Sequence, residues 1–208
     1  MRLIYGFDPL CGWCFGLVPA MQAVIAAFPE LPVHLALPGL VTGGRAGPYH
    51  LMEGYIRSAS QRLQAVTGRA PSEAFFRLIA DPAVIGQSAP PCLVLAAARA
   101  ADHRAAVALA HAVTEAHFRD GADLNLWDSY LPLLAQCGLD LPAPPLHDPA
   151  AAAALWQAEA VHGIRSYPTL FWQDAEDNSI ALPTEYDPVT LVAMVAARIA
   201  AGSGLRYA

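Results

Sequence analysis

The chain has 208 residues, of which 55% are hydrophobic and only 14% are charged, and its formal net charge is −6. The negative charge argues against nucleic-acid binding, which needs a basic surface, and the hydrophobicity argues against intrinsic disorder. All twelve basic residues are arginine, which excludes a lysine Schiff base, a lysine general base and a phosphate-loop lysine. Four cysteines are too few for a secreted scaffold held together by disulfides.

The first forty residues predict a strand, a helix and a second strand. Residues 3–7 are a short apolar run, typical of a strand that is covered on both faces. A turn at residues 8–14 leads into a helix that ends near Phe28, and residues 32–37 are a second apolar run. The connection is long enough for the two strands to be parallel.

The middle of the chain is predicted to be almost entirely helical. A glycine-rich loop at residues 39–48 comes first, and Ser88 and Asp148 are good helix caps because each is closely followed by a proline. Six helical segments are predicted, at 49–66, 72–80, 88–101, 103–119, 124–138 and 149–162. Beyond Gly163 we predict a strand at 169–172, an antiparallel partner at 179–182 and a last helix from 188 to about 201.

One uncharged stretch is long enough to span a bilayer. It runs from Pro9 to Pro29, but it contains Pro19, Gln22 and two cysteines, so we interpret it as a buried core helix and expect no membrane association. The apolar run at 3–7 is too short for a secretory signal, so the expected location is the cytoplasm.

The arrangement that carries obvious chemistry is Cys11-Gly12-Trp13-Cys14. This spacing puts both sulfurs on the same side of the first turn of the predicted helix. At the helix N-terminus, free backbone N–H groups and the helix dipole stabilise a thiolate on Cys11. Cys14 lies one turn deeper, which suits a resolving thiol that attacks a mixed disulfide at Cys11. The position therefore predicts Cys11 as the nucleophile.

Two other interpretations of this pair remain open. A lone CxxC supplies two zinc ligands, but Cys92 and Cys137 are isolated and no two histidines lie four residues apart. The other interpretation is a pair of buried inert thiols, which is disfavoured by a strand that ends directly at the pair.

The segment Phe7-Asp8-Pro9-Leu10-Cys11-Gly12-Trp13-Cys14, after a short N-terminal strand, resembles the thioredoxin superfamily, and within it the DsbA-like thiol–disulfide oxidoreductases. Gly163-Ile164-Arg165-Ser166-Tyr167-Pro168-Thr169 resembles the segment of that family that carries a cis-proline opposite the cysteines. The chain is most similar to the cytoplasmic branch described as predicted protein-disulfide isomerases, and the glycine-rich loop after the second strand also fits that branch.

The resemblance implies an α/β thioredoxin fold with an inserted all-helical domain. Residues 1–38 and 149–208 would form the thioredoxin-like core, and residues 39–148 the helical insertion. Tyr167 would offer its backbone to an extended substrate segment held across Cys11, with a cis bond before Pro168. Trp13, Tyr167 and Pro168 are therefore the expected substrate-binding residues.

The resemblance implies a thiol–disulfide oxidoreductase or isomerase that acts on protein clients with thiols or disulfides, and on small thiols. It needs no bound cofactor or metal, and glutathione is a candidate redox partner. DsbA has Pro-His between its cysteines. Because Trp13 cannot act as a cation beside a thiolate, we expect a weaker oxidant than DsbA.

Two alternative functions stay open. One is a glutathione-dependent isomerase or transferase of the chromene-carboxylate isomerase or kappa type, although these generally have a serine at the position of Cys11. The other is a zinc-binding or interaction module.

Several other residues are expected to be structural. Residues 39–46 nearly match a phosphate-binding loop but lack its lysine and its magnesium-binding hydroxyl, so Arg45 is interpreted as a surface or loop-anchoring residue. Asp8 could tune the thiols or cap the first helix, and capping is the favoured expectation. Cys92 and Cys137 should pack in the core. The three histidines predicted on one helix have spacings that give no shared ligand face, so they are expected to be solvated or capped: His103, His111 and His117.

Overall fold

The computed structural model describes residues 1–202 and contains a mixed four-stranded sheet beside a two-stranded one. The strands are β1 (Arg2–Gly6), β2 (Val33–Ala36), β3 (Gly47–Pro48), β4 (Ile85–Gly86), β5 (Thr169–Gln173) and β6 (Ser179–Leu182). The large sheet has the order β2-β1-β5-β6, with β1 parallel to β2 and antiparallel to β5, and β5 antiparallel to β6. The predicted parallel pair and the predicted C-terminal hairpin are confirmed.

Eight α-helices surround this sheet within the described residues. They are α1 (Gly12–Ala27), α2 (Glu53–Thr67), α3 (Glu73–Ala80), α4 (Ala89–Ala101), α5 (His103–Glu115), α6 (Leu131–Gln136), α7 (Pro149–Glu159) and α8 (Pro188–Gly202). The uncharged stretch that includes α1 is a core helix, and half of its sixteen residues are buried. Within residues 1–202, no helix combines the length and the apolarity needed to cross a membrane.

Two predicted helices are shorter than expected. The segment 103–119 is α-helical only to Glu115 and continues as a π-helix, Ala116–Asp120, which ends at Gly121 in the left-handed conformation. The segment 124–138 contains only a short 3-10 turn, Trp127–Ser129, and the six-residue helix α6. Pro132 lies in the first turn of α6, and its ring prevents the helix from extending toward the N-terminus.

The inserted region is not entirely helical, because β3 and β4 form an antiparallel pair there. Each of these strands has only two residues, which is too few to show the alternation of apolar and polar residues that predicts a strand. The pairing brings Tyr49 directly over Gly86, where a Cβ would lie 2.6 Å from the tyrosine ring. A larger residue at position 86 would therefore collide with the tyrosine ring, and glycine avoids this clash.

All strands of the large sheet come from the two ends of the chain. We therefore propose the division predicted above, with residues 1–38 and 149–208 as the core and residues 39–148 as the insertion. Residues 203–208 of that predicted core lie outside the part that the structure describes.

The outer edge of the sheet is closed by a buried ion pair. Strand β2 is an edge strand, and edge strands need protection of their free backbone groups. Arg99 of α4 donates to the carbonyl of Leu35 and pairs with Glu159 of α7. Glu159 in turn accepts a 2.9 Å hydrogen bond from the backbone N–H of Leu37. One charge pair therefore ties two helices to the exposed side of β2.

Two histidines expected to be solvated or capped are buried, and that expectation is wrong for them. His117 lies in the π-helix, with its ring nitrogens 3.3 Å from the Tyr49 hydroxyl and 3.0 Å from the Ala122 carbonyl oxygen. His111 packs against Tyr5 with ring centroids 6.1 Å apart. Burial lowers the pKa of each to about 4, because the charged imidazolium loses its hydration. His103 is exposed, as expected.

We expect Glu159→Gln to lower the free energy of unfolding by about 3 kcal/mol, because it leaves the buried Arg99 guanidinium without a counter-charge. The matched control is Glu53→Gln, which breaks the more exposed pair with Arg57 and should cost at most about 1 kcal/mol. Urea unfolding of both variants measures the difference. Equal losses of unfolding free energy in the two variants would show that the pair of Arg99 and Glu159 contributes no more than the exposed pair.

Stability should fall as the pH drops from about 6.5 to about 4. In this range the unfolded chain binds protons at His111 and His117, while the folded chain does not, so unfolding is favoured by about 3 kcal/mol for each histidine at the low end. Urea unfolding at a series of pH values measures this slope.

The variant His117→Gln should lose part of that slope. His103→Gln is the matched control, because it removes an exposed histidine without touching the buried rings. If His117→Gln retained the full wild-type slope, His117 would not be one of the groups responsible.

Candidate active site

The two cysteines lie where the sequence predicts, at the start of α1. Cys11 is the N-cap residue in extended conformation, and its carbonyl accepts a 3.1 Å hydrogen bond from the N–H of Phe15. No side chain caps this end of the helix, so free N–H groups of the first turn remain beside the Cys11 sulfur. Cys14 lies in the same turn and is fully buried.

The second predicted motif faces the first. The Cys11 thiol donates to the Tyr167 carbonyl oxygen over 3.7 Å, and the peptide bond between Tyr167 and Pro168 is cis. Tyr167 and Pro168 are 156 or more residues from Cys11 in sequence, yet they directly precede β5, which pairs with β1. The sheet therefore brings the predicted substrate-binding backbone to the predicted nucleophile.

The two thiols have different surroundings. Cys11 is 5% exposed, whereas Cys14 is entirely buried. Burial raises the pKa of the Cys14 thiol, and its hydrogen bond with Cys11 raises it further. Cys14 is therefore held as a protonated thiol behind the more accessible sulfur of Cys11.

Trp13 is partly buried and lies against a residue that the sequence did not point to. Its ring is 5.8 Å from the ring of Tyr186, at an interplanar angle of 46°. Burial raises the pKa of the Tyr186 hydroxyl, and the charges of Cys11 and Cys14 add to that rise. Tyr186 thus belongs to the surroundings of the cysteines, although it lies in the segment before α8 with no local motif to mark it.

Asp8 does not cap α1, so that expectation is wrong. Its carboxylate accepts from the N–H of Leu10 at 2.9 Å and from the N–H of Leu40 at 2.6 Å. The Cys92 thiol donates to the same carboxylate at 3.9 Å. Asp8 therefore joins the loop of the cysteines to the glycine-rich loop and to α4. It is fully buried, and burial raises its pKa against the lowering effect of these hydrogen bonds.

The remaining cysteines make no second redox pair with each other. Cys92 is fully buried in the core, as predicted, and Cys137 is partly buried at the end of α6. Within residues 1–202, no cluster of three or more histidine, cysteine, aspartate or glutamate side chains is arranged to hold a metal ion. The zinc alternative therefore has no ligand set in this part of the chain.

A cavity of about 490 Å³ opens beside Cys11. Its walls come from the loop of the cysteines, the glycine-rich loop, α2 and the π-helix. Arg45 lies at this cavity, and its guanidinium makes no hydrogen bond or ion pair with the described residues, although its backbone N–H donates to the Thr42 carbonyl. Its side chain is exposed, as predicted, and does not anchor the loop, which is held through Leu40 and Val41 instead.

This sheet order, with a cysteine pair at the first helix and a cis-proline before the third strand of the sheet, defines a thioredoxin fold with a helical insertion. Solved structures support the assignment. The cytosolic disulfide reductase DsbM from Pseudomonas aeruginosa is 25% identical, with a TM-score of 0.80 over 96% of this chain and 98% of that one. Its structure with GSH is similar at a TM-score of 0.75 and 24% identity, over 96% and 99% of the two chains.

Two further structures share the fold at lower identity. A candidate protein disulfide isomerase from Nitrosomonas europaea has a TM-score of 0.72 and 17% identity over 98% of each chain. A 2-hydroxychromene-2-carboxylate isomerase has a TM-score of 0.52 and 16% identity over 96% of each chain. No family model and no curated protein matches the sequence. These similarities show that the chain has the fold of the DsbA-like disulfide oxidoreductases.

We expect Asp8→Ala to lower the free energy of unfolding by about 2–4 kcal/mol, because it leaves the N–H groups of Leu10 and Leu40 without acceptors inside the protein. Hydrogen exchange should show faster exchange at the Leu40 amide. The control is Asp174→Ala in the exposed β5–β6 turn, which should leave that amide unchanged. Unaltered protection of Leu40 in Asp8→Ala would contradict the anchoring role.

Proposed function

We propose that this oxidoreductase reduces or isomerises disulfides through Cys11 and Cys14. The observation that supports the proposal best is the pairing of an N-terminal helix cysteine with the carbonyl of Tyr167. The Cys11 thiolate attacks one sulfur of a substrate disulfide and forms a mixed disulfide, and the first substrate thiol leaves. Cys14 then attacks the Cys11 sulfur and releases the second thiol, so the enzyme ends as an intramolecular disulfide.

The burial of Cys14 suits the order of these two steps. A protonated thiol does not compete with the Cys11 thiolate for the incoming disulfide. Cys14 must lose its proton before it attacks, and its place in the same helical turn keeps it within reach of Cys11. Cys11 is therefore the nucleophile in this proposal, and Cys14 is the resolving thiol.

The substrate is held by backbone as well as by side chains. An extended segment would lie along Tyr167 and Pro168 by strand addition, while Trp13 supplies an apolar surface on the other side of Cys11. The expected partners are proteins with thiols or disulfides, and glutathione as a small-thiol redox partner. The structure of DsbM with GSH supports glutathione, and the cytosolic location of that protein supports a cytoplasmic setting.

A glutathione-dependent isomerase is the second candidate. It is favoured by the shared fold of the chromene-carboxylate isomerase and by the small-molecule cavity at Cys11. Such a reaction has no use for a resolving thiol. The intact pair of Cys11 and Cys14 therefore favours disulfide exchange.

With glutathione as reductant, we expect the wild-type chain to reduce insulin disulfides and the Cys11→Ser variant to lose this activity, because serine forms no mixed disulfide. The matched control Cys137→Ser, which changes a partly buried cysteine outside the site, should retain the wild-type rate. Turbidity of the released insulin chain measures the rate. Equal rates for Cys11→Ser and the wild type would overturn the proposed function.

The variant Cys14→Ser should accumulate a mixed disulfide at Cys11, because the second attack is missing. Intact mass spectrometry after mixing with oxidised glutathione detects the adduct, and peptide mapping places it. An adduct on Cys92 or Cys137 in place of Cys11 would contradict the assignment of the nucleophile.

A further inference from the structure

The cavity beside Cys11 has the size of a small-molecule site. Its volume of about 490 Å³ falls within the range of about 300–1,000 Å³ that ligand pockets occupy. Cys11 lies at one side of it, so a group that becomes bonded to the Cys11 sulfur has room to enter.

The interior of this cavity is apolar and aromatic. Tyr49, Phe75 and Phe118 contribute rings, and Ile56 and Leu63 contribute aliphatic side chains. The Tyr49 hydroxyl lies 3.3 Å from a ring nitrogen of His117, so its polar end already has a partner. This lining favours an aromatic or aliphatic group over a polar one.

Arg45 is the one charged residue among the described residues that line the cavity. It is exposed, and no acidic side chain in residues 1–202 pairs with it. Burial raises the pKa of Tyr167, and the Arg45 charge opposes that rise. Arg45 and Cys11 line the same cavity, and the carbonyl of Tyr167 contacts the Cys11 thiol. An anionic group on the substrate would find its counter-charge there.

Resting on the function proposed above, we infer that Arg45 and the apolar cavity select small anionic disulfides with an aromatic or aliphatic body. The half of the disulfide that stays on Cys11 occupies the cavity, and its carboxylate pairs with Arg45. The other half leaves as the first thiolate. Attack by Cys14 on the Cys11 sulfur then releases the bound half as a second thiolate. Two electrons pass from the two cysteines to the substrate, and the Cys14 proton passes to solvent.

The test uses the reduced wild-type protein in single turnover, so no added reductant takes part. Dithiobis-nitrobenzoate is an aromatic disulfide with a carboxylate on each ring, and dithiodipyridine is a neutral aromatic disulfide. Both release products with strong absorbance, thionitrobenzoate in the visible and thiopyridone in the near ultraviolet, so both reactions can be followed by stopped flow. Because each variant is compared with the wild type on each probe, differences in leaving-group reactivity between the probes cancel.

We expect Arg45→Gln to slow the reaction with dithiobis-nitrobenzoate about two- to fivefold, as is typical of an exposed ion pair, and to leave dithiodipyridine unaffected. In about 1 M salt, where the Debye length is ~3 Å, the difference should disappear. Arg45→Lys should restore most of the rate. Arg62→Gln is the matched control, because Arg62 is an exposed arginine of α2 that does not line the cavity.

A second variant tests the cavity itself. Ala59→Phe adds a ring to the α2 wall of the cavity and should slow both aromatic probes, while hydroxyethyl disulfide, which is small and neutral, should react at the wild-type rate. Ala65→Phe is the matched control on the exposed side of α2. Far-ultraviolet circular dichroism confirms that each variant is folded.

The possible results separate the two proposals. If the wild type reduces insulin but Arg45→Gln slows both aromatic probes equally, or behaves like Arg62→Gln, the charge selection is overturned and the proposed function stands. If Ala59→Phe reacts with the aromatic probes at the wild-type rate, the cavity is not the binding site. If the wild type reacts with no disulfide at all, both proposals fall.

Discussion

The buried carboxylate of Asp8 is the group on which the arrangement of the site depends. A buried charge is costly unless hydrogen bonds replace its lost water, and within residues 1–202 no cation pairs with this carboxylate. The donors are the N–H groups of Leu10 and Leu40, with the Cys92 thiol and Ser88 beside them. These donors come from three separate segments. The loop of the cysteines, the glycine-rich loop and the start of α4 must therefore close together around one group.

Helix α4 is held to the sheet at both of its ends. At its start, Ser88 accepts from the N–H of Val41 at 2.9 Å and bonds to Asp8. Toward its end, Arg99 binds the Leu35 carbonyl and Glu159. The inserted helices are thus attached to the core by polar groups that are buried, and such groups have strict geometry. Because Val41 also lines the cavity, its hydrogen bond with Ser88 holds the glycine-rich loop as one wall of the cavity beside Cys11.

Local patterns in the sequence predicted most of the elements but not their long-range contacts. The apolar runs predicted the strand–helix–strand start of the chain. Asp148 predicted the start of α7, and its side chain accepts from the N–H of Ala150. Ser88 was predicted as a cap, yet its hydroxyl binds Val41 instead of its own helix. The burial of His117 and the position of Tyr186 depend on partners dozens of residues away. No periodicity or cap signal encodes such contacts, so only the folded chain shows them.

The surroundings of the cysteines also bear on the direction of the reaction. A strongly stabilised reduced form makes a cysteine pair oxidising, as in DsbA. Here neither Gly12 nor Trp13 supplies a cation, and the charge of the buried Asp8 carboxylate contributes to the raised pKa of Cys14. The burial of Cys14 further disfavours a thiolate at that position. The start of α1 stabilises the reduced pair through its free N–H groups, but no cation between the cysteines adds to that stabilisation. By this argument we expect the pair to be less oxidising than that of DsbA, in keeping with the function proposed above.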